Sequence, residues 1–349
     1  DPCLYYDWTS DGLVMIVSWI DDNLVVGSDE AVAKTKGGLM SRFDCEDCGE
    51  LDEYVGCKIT RIGDNALKFT QPVILQSYTD EFDLPNRKFP TPATAGDCLT
   101  KCDEKDALGP AEHTKYRSGV GKMMHVMQYS LPQTYNAVRD LARHMSQPAP
   151  KHMKAMLHCM KHCADRPNRG LVLKPDSKWD GSKSFAFTIG GRSDSDYAKE
   201  PVTRRSVSGS SVKLNGAPVM FRSGTQKHVA LSVTEAELYA AVTCAQDMIY
   251  CMHVIQSLGL TVSLPMILEV DNQGAVHLAN NWSIGGRTRH IDVRQCFLRE
   301  LKEEGTLIVK WIPGSENESD LFTKNLGGNL FETFTQVYVG EDEYTPASE

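Results

Sequence analysis

The order of apolar and polar positions divides the chain into a strand-rich start, a helical middle and a final segment in which strands and helices alternate. In residues 13–27, two apolar runs flank Asp21-Asp22-Asn23. Asp and Asn tolerate turn geometry, so this pattern is typical of a hairpin. Before residue 84 the pattern also predicts a helix over 29–43, a hairpin over 53–70 around Gly63-Asp64-Asn65, and a helix over 72–82.

The middle of the chain begins with a stretch from Leu84 to Gly109 that is rich in Pro, Thr, Asp and Gly, which predicts a linker. Helical periodicity then returns, and Pro132 and Pro148 separate the predicted helices. The predicted helices are 116–129, 133–146 and 151–163.

From Trp179 onwards the pattern predicts an α/β segment. Asn215-Gly216 is a strong turn pair between two strands. The predicted elements are a strand run over 185–189, strands 206–214 and 218–222, a helix over 233–257, a strand over 265–271, helices 272–280 and 289–303, a strand over 306–312, and a final helix from about 316.

Four acidic residues stand at the ends of these predicted elements. They are Asp194 after the first strand run, Glu237 early in the long helix, Asp271 at the end of an apolar strand, and Asp320 at the start of the last helix. Folds bring distant carboxylates together in this way, and α/β sheets place active sites at the carboxyl ends of strands. Carboxylate oxygens suit hard divalent cations. The chain has 46 acidic residues, so any one of the four alone is as well explained by surface charge.

Six motifs occur in an order and spacing that resembles the ribonuclease H domain of copia-type LTR retrotransposon polyproteins. They are Ser193-Asp194-Ser195-Asp196-Tyr197-Ala198, 204–209, 230–237, 270–273, 289–294 and Asp320-Leu321-Phe322-Thr323-Lys324.

The resemblance implies roles for particular residues. In that family one Asp, one Glu and two further Asp bind two Mg²⁺, with Mn²⁺ as an alternative, and cut the RNA strand of an RNA–DNA hybrid. Matched by motif, those positions are Asp194, Glu237, Asp271 and Asp320; Asp196 and Glu235 rank second. Hydrolysis would leave a 5′-phosphate and a 3′-hydroxyl.

A second resemblance concerns Trp19-Ile20-Asp21-Asp22, which is similar to the aromatic-x-Asp-Asp hairpin of the reverse-transcriptase palm. It implies that Asp21 and Asp22 are polymerase residues, although from the residues alone a plain turn is the better explanation. The palm strand carrying the third catalytic Asp and the fingers are expected before residue 1, so polymerase activity is expected only in the longer parent polyprotein.

The expected domain organisation follows from both resemblances, and the fold class is α/β and α+β. The predicted segments are the C-terminal part of palm and thumb (1–90), a linker and helical connection (91–178), a ribonuclease H-like domain with a mixed five-stranded sheet and flanking helices (179–338), and an acidic tail (339–349).

Composition adjusts this interpretation. No run approaches the roughly 18 uninterrupted apolar residues of a membrane helix, so no membrane partner is expected. The chain does not begin with Met, which predicts a fragment or a processed product. Scattered Cys residues favour reduced thiols. The net charge of -9 argues against a generic nucleic-acid binder, since such affinity comes largely from Lys and Arg on phosphates.

Two further patterns allow more than one interpretation. Cys45-x-x-Cys48 and the set His158, Cys159, His162 and Cys163 have spacings that can hold a metal, but structural explanations fit them better. A basic helical face suits either phosphate contact or plain solvation; it comprises Lys151, Lys154, Lys161, Arg166 and Arg169.

The predicted function is therefore hydrolysis of RNA–DNA hybrids by a retrotransposon ribonuclease H fragment. The remainder of the polyprotein is the expected partner, and the expected location is the cytoplasm, in virus-like particles, with the nucleus as a second site. The alternative is a decayed or co-opted copy that binds nucleic acid or a partner protein.

Overall fold

The computed structural model describes residues 2–281 and 289–340. Its strands are β1 (Leu4–Thr9), β2 (Gly12–Trp19), β3 (Asp22–Gly27), β4 (Glu53–Tyr54), β5 (Cys57–Ile62), β6 (Ala66–Thr70), β7 (Gly170–Leu173), β8 (Ala186–Phe187), β9 (Ile189–Asp196), β10 (Val207–Leu214), β11 (Ala217–Thr225), β12 (Thr261–Val262), β13 (Met266–Val270), β14 (Leu307–Trp311) and β15 (Val339–Gly340). Its helices are α1 (Asp29–Met40), α2 (Pro72–Glu81), α3 (Pro110–Tyr129), α4 (Tyr135–Ala142), α5 (Pro150–Ala164), α6 (Val233–Ser257), α7 (Gln273–Asn280), α8 (Arg289–Glu303) and α9 (Gly328–Thr335).

The first hairpin forms as predicted, and β1 extends it to a three-stranded antiparallel sheet in the order β1-β2-β3. Its turn is Ile20-Asp21, with Ile20 at a φ of 52°. This sheet packs against the C-terminal half of the chain, where the Trp8 indole N–H donates to the carbonyl of Leu258 at 2.8 Å. Leu13 also lies in the core of that half.

The predicted hairpin over 53–70 is present as β5 and β6. It belongs to a five-stranded sheet whose strands come from distant parts of the chain. The strand order is β15-β7-β6-β5-β4. Hydrogen bonds within one sheet therefore join the predicted thumb, the end of the predicted connection and residues 339–340. The first two residues of the predicted tail (339–349) are thus part of this sheet, and residues 341–349 lie outside the described residues.

The helical middle packs around its own core. The α2 residues Leu75 and Tyr78 meet α3 and α5 in one buried cluster that includes Tyr116 and Met156. Each of these four side chains is at most 2% exposed. Apolar positions at helical spacing, the basis of the prediction, are the positions that this cluster buries.

A mixed five-stranded sheet organises the C-terminal half, and it confirms the predicted fold class. The order is β11-β10-β9-β13-β14; β9, β10 and β11 pair antiparallel, while β9, β13 and β14 run parallel. The long helix α6 covers one face, with Leu238, Ala245 and Met248 buried in the core. The carboxyl ends of the three parallel strands consequently meet at one edge of the sheet.

The helix α6 has the length and apolar content of a membrane-crossing segment. However, 56% of its most apolar window is buried inside the protein, and Glu235, Glu237 and Asp247 are buried among its residues. Its hydrophobicity is that of a core helix.

Two sequence predictions about element boundaries are wrong. Asp194 lies within β9 and does not follow a completed strand, because the run 185–189 is divided between β8 and β9. Asp320 lies in a 3₁₀ turn over Glu318–Phe322 and not at the start of an α-helix. The Asn317 side chain accepts a hydrogen bond from the Ser319 amide and so directs a tight turn, and α9 begins only after Gly327.

The side chains of residues 289–293 in the motif 289–294 lie outside the described residues. The backbone of this motif begins α8, as predicted.

The segment that carries Asp320 packs closely against β10 at Gly209, and replacing this glycine tests that contact. It pairs with Asp194 across β10 and β9, and a Cβ at this position would lie 2.7 Å from the Phe322 Cβ and 3.0 Å from the Phe322 carbonyl carbon. We expect Gly209→Ala to lower the free energy of unfolding by about 1–3 kcal/mol, because overpacking against backbone forces it to shift. Urea unfolding measures the change.

The matched control is Gly224→Ala on the neighbouring strand β11, where a Cβ would meet nothing within 4 Å. We expect this variant to be as stable as the wild type. Equal stability of Gly209→Ala and Gly224→Ala would show that Gly209 is not required for the close approach of this segment.

Candidate metal centre

Three of the predicted carboxylates converge at the carboxyl edge of the mixed sheet. One oxygen from each of Asp194, Glu237 and Asp271 lies within 4.8 Å of the others. Asp194 comes from β9, Asp271 directly follows β13, and the pairing of Val270 with Ser193 places them side by side. Glu237 reaches them from the first turns of α6.

The start of α6 explains why Glu237, and not Glu235, faces this centre. Ser232 caps the helix by accepting a hydrogen bond from the Glu235 amide at 3.1 Å. The Glu235 carboxylate turns back to accept from the amide of Leu231, the residue before the cap, at 2.7 Å. Two residues later the helix has rotated by about 200°, so Glu237 points towards the sheet.

Glu237 is held by one of its two oxygens. Its Oε1 accepts from the Ser195 amide at 3.2 Å, whereas its Oε2 is buried and has no hydrogen-bond partner among the described residues. A buried carboxylate oxygen normally has a partner. An oxygen-only donor set with one oxygen left open is what a hard divalent cation requires, so these residues fit a metal ion.

Asp320 lies beside this group and not within it. Lys324 bridges it to the centre, with Nζ 2.6 Å from Asp320 Oδ1 and 3.3 Å from Asp194 Oδ1. The Thr323 hydroxyl donates to the other oxygen of Asp194. The buried Asp194 therefore has three carboxylates as neighbours and pairs with one lysine ammonium.

Burial and repulsion from neighbouring carboxylates disfavour charge on Glu237, Asp271 and Asp320. Burial, and then Asp194 and Asp271, raise the pKa of Glu237 to about 9. Burial and Asp194 raise the pKa of Asp271, against the opposing effects of Asn317 and Lys324. Burial and Asp194 also raise the pKa of Asp320 to about 7, although Lys324 opposes this shift. Cations bound among these groups would relieve the repulsion.

Sequence reasoning missed Glu318, a buried carboxylate that fixes the loop leading to Asp320. It is 1% exposed, and it pairs with Lys213 at 2.7 Å and with Arg192. Burial opposes its ionisation, but Lys213 and Arg192 outweigh this, so the pKa of Glu318 lies below its ordinary value. Arg192, two residues before Asp194 on β9, was the sequence signal for such a residue. A half-buried arginine needs an acidic partner, and Glu318 is one.

The other sequence candidates lie elsewhere or serve other contacts. Asp21 and Asp22 are at the turn between β2 and β3, and in the described part of the chain they belong to no group of three metal-ligating side chains. Asp196, at the end of β9, pairs with Lys199 at 3.2 Å.

The histidines of α5 make structural contacts. His158 donates to the Thr91 carbonyl at 2.9 Å and His162 bonds the Phe89 carbonyl at 3.0 Å. Cys45 and Cys48 are exposed. In the described ranges, neither set forms a metal-ligating group of three.

The basic face is largely engaged within the protein. Lys151 donates to the Thr100 hydroxyl, Lys161 pairs with Asp165, Arg166 donates to the Phe89 carbonyl, and Arg169 pairs with Glu332. Phosphate contact through this face would have to compete with these bonds.

Known proteins were compared with the chain as a whole. No protein-family profile matches it. It is 30% identical over 342 residues to the retrovirus-related Pol polyprotein from transposon TNT 1-94 of Nicotiana tabacum, covering 95% of this chain and 25% of that protein. It is 25% identical to the corresponding polyprotein from transposon RE1 of Arabidopsis thaliana, covering 96% of this chain and 22% of that protein.

Among solved structures, the ribonuclease H1 of Halobacterium salinarum is similar with a TM-score of 0.28 and 16% identity, covering 39% of this chain and 94% of that one. The chain spans about a quarter of the length of the curated relatives it matches.

The mixed sheet, with three antiparallel and three parallel strands sharing β9 and a long helix on one face, is a ribonuclease H-like α/β fold. The homologues of the chain, along nearly its whole length, are the retrovirus-related Pol polyproteins of plant copia-type transposons. The resemblance predicted from the motifs is thereby confirmed.

The raised pKa of Glu237 predicts a pH-dependent effect of Glu237→Gln on stability without divalent ions. Glu237 must retain a proton on folding, so wild-type stability falls as the pH rises from the ordinary value of 4.5 towards about 9. Gln keeps the acceptor for Ser195 and removes the charge. We expect the mutant to be more stable than the wild type at pH 8 by at least about 1 kcal/mol, since one pKa unit corresponds to about 1.4 kcal/mol.

Thermal melting in EDTA between pH 5 and pH 9 measures this difference, which should widen as the pH rises. Glu318→Gln is the control, because the pKa of Glu318 is lowered from its ordinary value of 4.5; it should destabilise by about the same amount across this range, since that contribution is lost only at lower pH. A gap for Glu237→Gln that stays constant with pH would contradict the expectation.

Proposed function

We propose that this chain is the C-terminal part of a retrotransposon reverse transcriptase joined to a ribonuclease H that cleaves the RNA strand of RNA–DNA hybrids. The observation that carries the proposal is the convergence of Asp194, Glu237 and Asp271 at one edge of the mixed sheet. Homology to Pol polyproteins supports the same function.

The residues of the centre have separable tasks. Asp194, Glu237 and Asp271 would hold one Mg²⁺, and Asp194 with Asp320 would take part in holding a second. Bound divalent cations would activate water and stabilise the leaving oxygen of the phosphodiester. The Ser195 amide and the Thr323 hydroxyl fix the orientation of Glu237 and Asp194.

The support around the centre is rigid where the chemistry requires it. The buried Asn317 amide donates to the Ser193 carbonyl at 3.0 Å, which ties the loop before Asp320 to β9. Glu318 anchors the same loop to β9 and β10 through Arg192 and Lys213. The Trp311 indole donates to the Asp271 carbonyl at 3.0 Å. Positions held in this way favour catalysis by groups that need little rearrangement.

The proposed domain organisation retains palm and thumb in 1–90, the connection in 91–178 and the ribonuclease H-like domain in 179–338. The separate cores of the helical middle and of the mixed sheet support a boundary between the last two.

Replacing Asp271 tests the nuclease. Asp271→Asn keeps the size of the side chain and removes the charge that would hold a cation. We expect hybrid cleavage in Mg²⁺ to fall at least about a hundredfold, which corresponds to about 3 kcal/mol in barrier. The melting temperature in EDTA should stay level or rise, because repulsion with Asp194 is relieved. A labelled RNA–DNA hybrid and thermal melting provide the two measurements.

Glu316→Gln is the matched control, since Glu316 is an exposed carboxylate in the loop before Asp320. It should cleave the hybrid at the wild-type rate. Full activity of Asp271→Asn would rule out the centre as the nuclease site. No cleavage by the wild type would instead favour a copy that only binds nucleic acid or a partner protein.

For the polymerase the expectation is negative. Asp21 lies in the hairpin turn and Asp22 begins β3; in the described part of the chain they join no third metal-ligating side chain. We expect no nucleotide incorporation on a primed RNA template by the 349-residue chain, in a preparation that cleaves the hybrid. Measured incorporation that is lost in Asp21→Asn or Asp22→Asn would show that the hairpin is a working polymerase site.

A further inference from the structure

Lys324 occupies a place in the centre that the proposed function does not explain. Its ammonium lies between Asp194 Oδ1 and Asp320 Oδ1, at 3.3 Å and 2.6 Å. These are two of the four carboxylates that would hold cations. We propose that Lys324 is a built-in cation of the centre, one that holds Asp320 in reserve until a divalent ion displaces it. This inference rests on the proposed function.

The charges around the centre make such a cation necessary. Asp194, Glu237, Asp271 and Asp320 are gathered at one edge of the sheet, and like charges at close range repel strongly in a partly buried site. The nearby cations Arg192 and Lys213 are engaged with Glu269 and Glu318. Lys324, by contrast, contacts the cluster itself.

The backbone holds Lys324 in position independently of its ammonium. The Lys324 amide donates to the Asp320 carbonyl at 2.9 Å, as does the Thr323 amide at 3.2 Å. The Thr323 hydroxyl adds a contact to Asp194. The segment therefore remains docked if the lysine side chain moves away.

The side chain itself can leave. Lys324 is 35% exposed, compared with 14% for the side chain of Asp320 and 2% for that of Asp194. Its ammonium is carried on a flexible four-carbon stem at the solvent side of two deeper carboxylates. Movement into water breaks two ion pairs.

The two cation positions of the centre are consequently unequal. The group of Asp194, Glu237 and Asp271 has an open oxygen on Glu237. Lys324 contacts this group through Asp194 at 3.3 Å, a longer distance than the 2.6 Å to Asp320. Asp320 is already neutralised by Lys324. A divalent ion can bind the first group through the open oxygen of Glu237, whereas engagement of Asp320 has to displace the ammonium ion from its shorter ion pair. Divalent ions are therefore taken up in order, with the second bound more weakly.

Isothermal titration calorimetry of Mg²⁺ and of Mn²⁺ into the full chain tests this order. We expect a tighter and a weaker phase in the wild type. Lys324→Met, which keeps the stem and removes the charge, should strengthen the weaker phase by about fivefold, the scale of one partly exposed ion pair. The same variant should melt at a lower temperature in EDTA and gain more from added Mg²⁺.

Two further variants separate this role from a structural one. Lys324→Arg keeps the charge and should behave as the wild type in both phases. Asp320→Asn should lose the weaker phase alone. Lys324→Gln replaces Lys324→Met if the latter does not fold, with the same expectation. A purely structural lysine would lower the melting temperature and leave both affinities unchanged.

The outcomes distinguish this inference from the function on which it rests. An unchanged or weakened second phase in folded Lys324→Met or Lys324→Gln overturns the role of Lys324 while leaving the nuclease intact. No binding of either ion to the wild type, or a tighter phase that survives Asp271→Asn, overturns the centre and the inference together.

Discussion

The buried carboxylate of Asp194 is the group on which the rest of the centre depends. It lies near the carboxyl end of β9, beside Asp271, within reach of Glu237, and bonded to Thr323 and Lys324. Such burial disfavours a charged group unless opposite charge or hydrogen bonds surround it. The elements at this edge of the sheet can be understood as the structure that keeps Asp194 both buried and charge-compensated.

That requirement explains why the loop before Asp320 is built from polar groups that are themselves buried. Asn317 is 0% exposed and Glu318 is 1% exposed, and their partners are backbone and side chains of β9 and β10. A loop fixed by apolar packing alone could slide, whereas hydrogen bonds and ion pairs of defined direction set the position of Asp320 relative to β9. Hydrogen bonds and ion pairs therefore fix the position of this loop, as apolar packing fixes the elements of the core.

Much of the fold could be predicted from periodicity. The helix 233–257 and the hairpin across Asn215-Gly216 matched the structure closely because the spacing of apolar residues and the turn chemistry agreed with the final packing. The 3₁₀ turn at Asp320 was missed because its geometry depends on the Asn317 side chain and not on periodicity. Glu318 and Lys324 were missed as parts of the centre for a related reason. The partners of Glu318 lie on distant strands. Lys324 pairs locally with Asp320, but its contact with Asp194 is one that no local pattern reports.

The sheet β15-β7-β6-β5-β4 has a consequence for how the chain is made. Its strands come from near the beginning, the middle and the end of the described chain. During synthesis the hairpin of β5 and β6 emerges first, and its outer edge stays open until β7 arrives, with β15 completing the sheet only at the last. Open strand edges are sites where chains associate wrongly. The two-residue strand Val339–Gly340 is thus the last strand to join this sheet. A chain truncated before residue 339 would leave the edge of β7 unpaired.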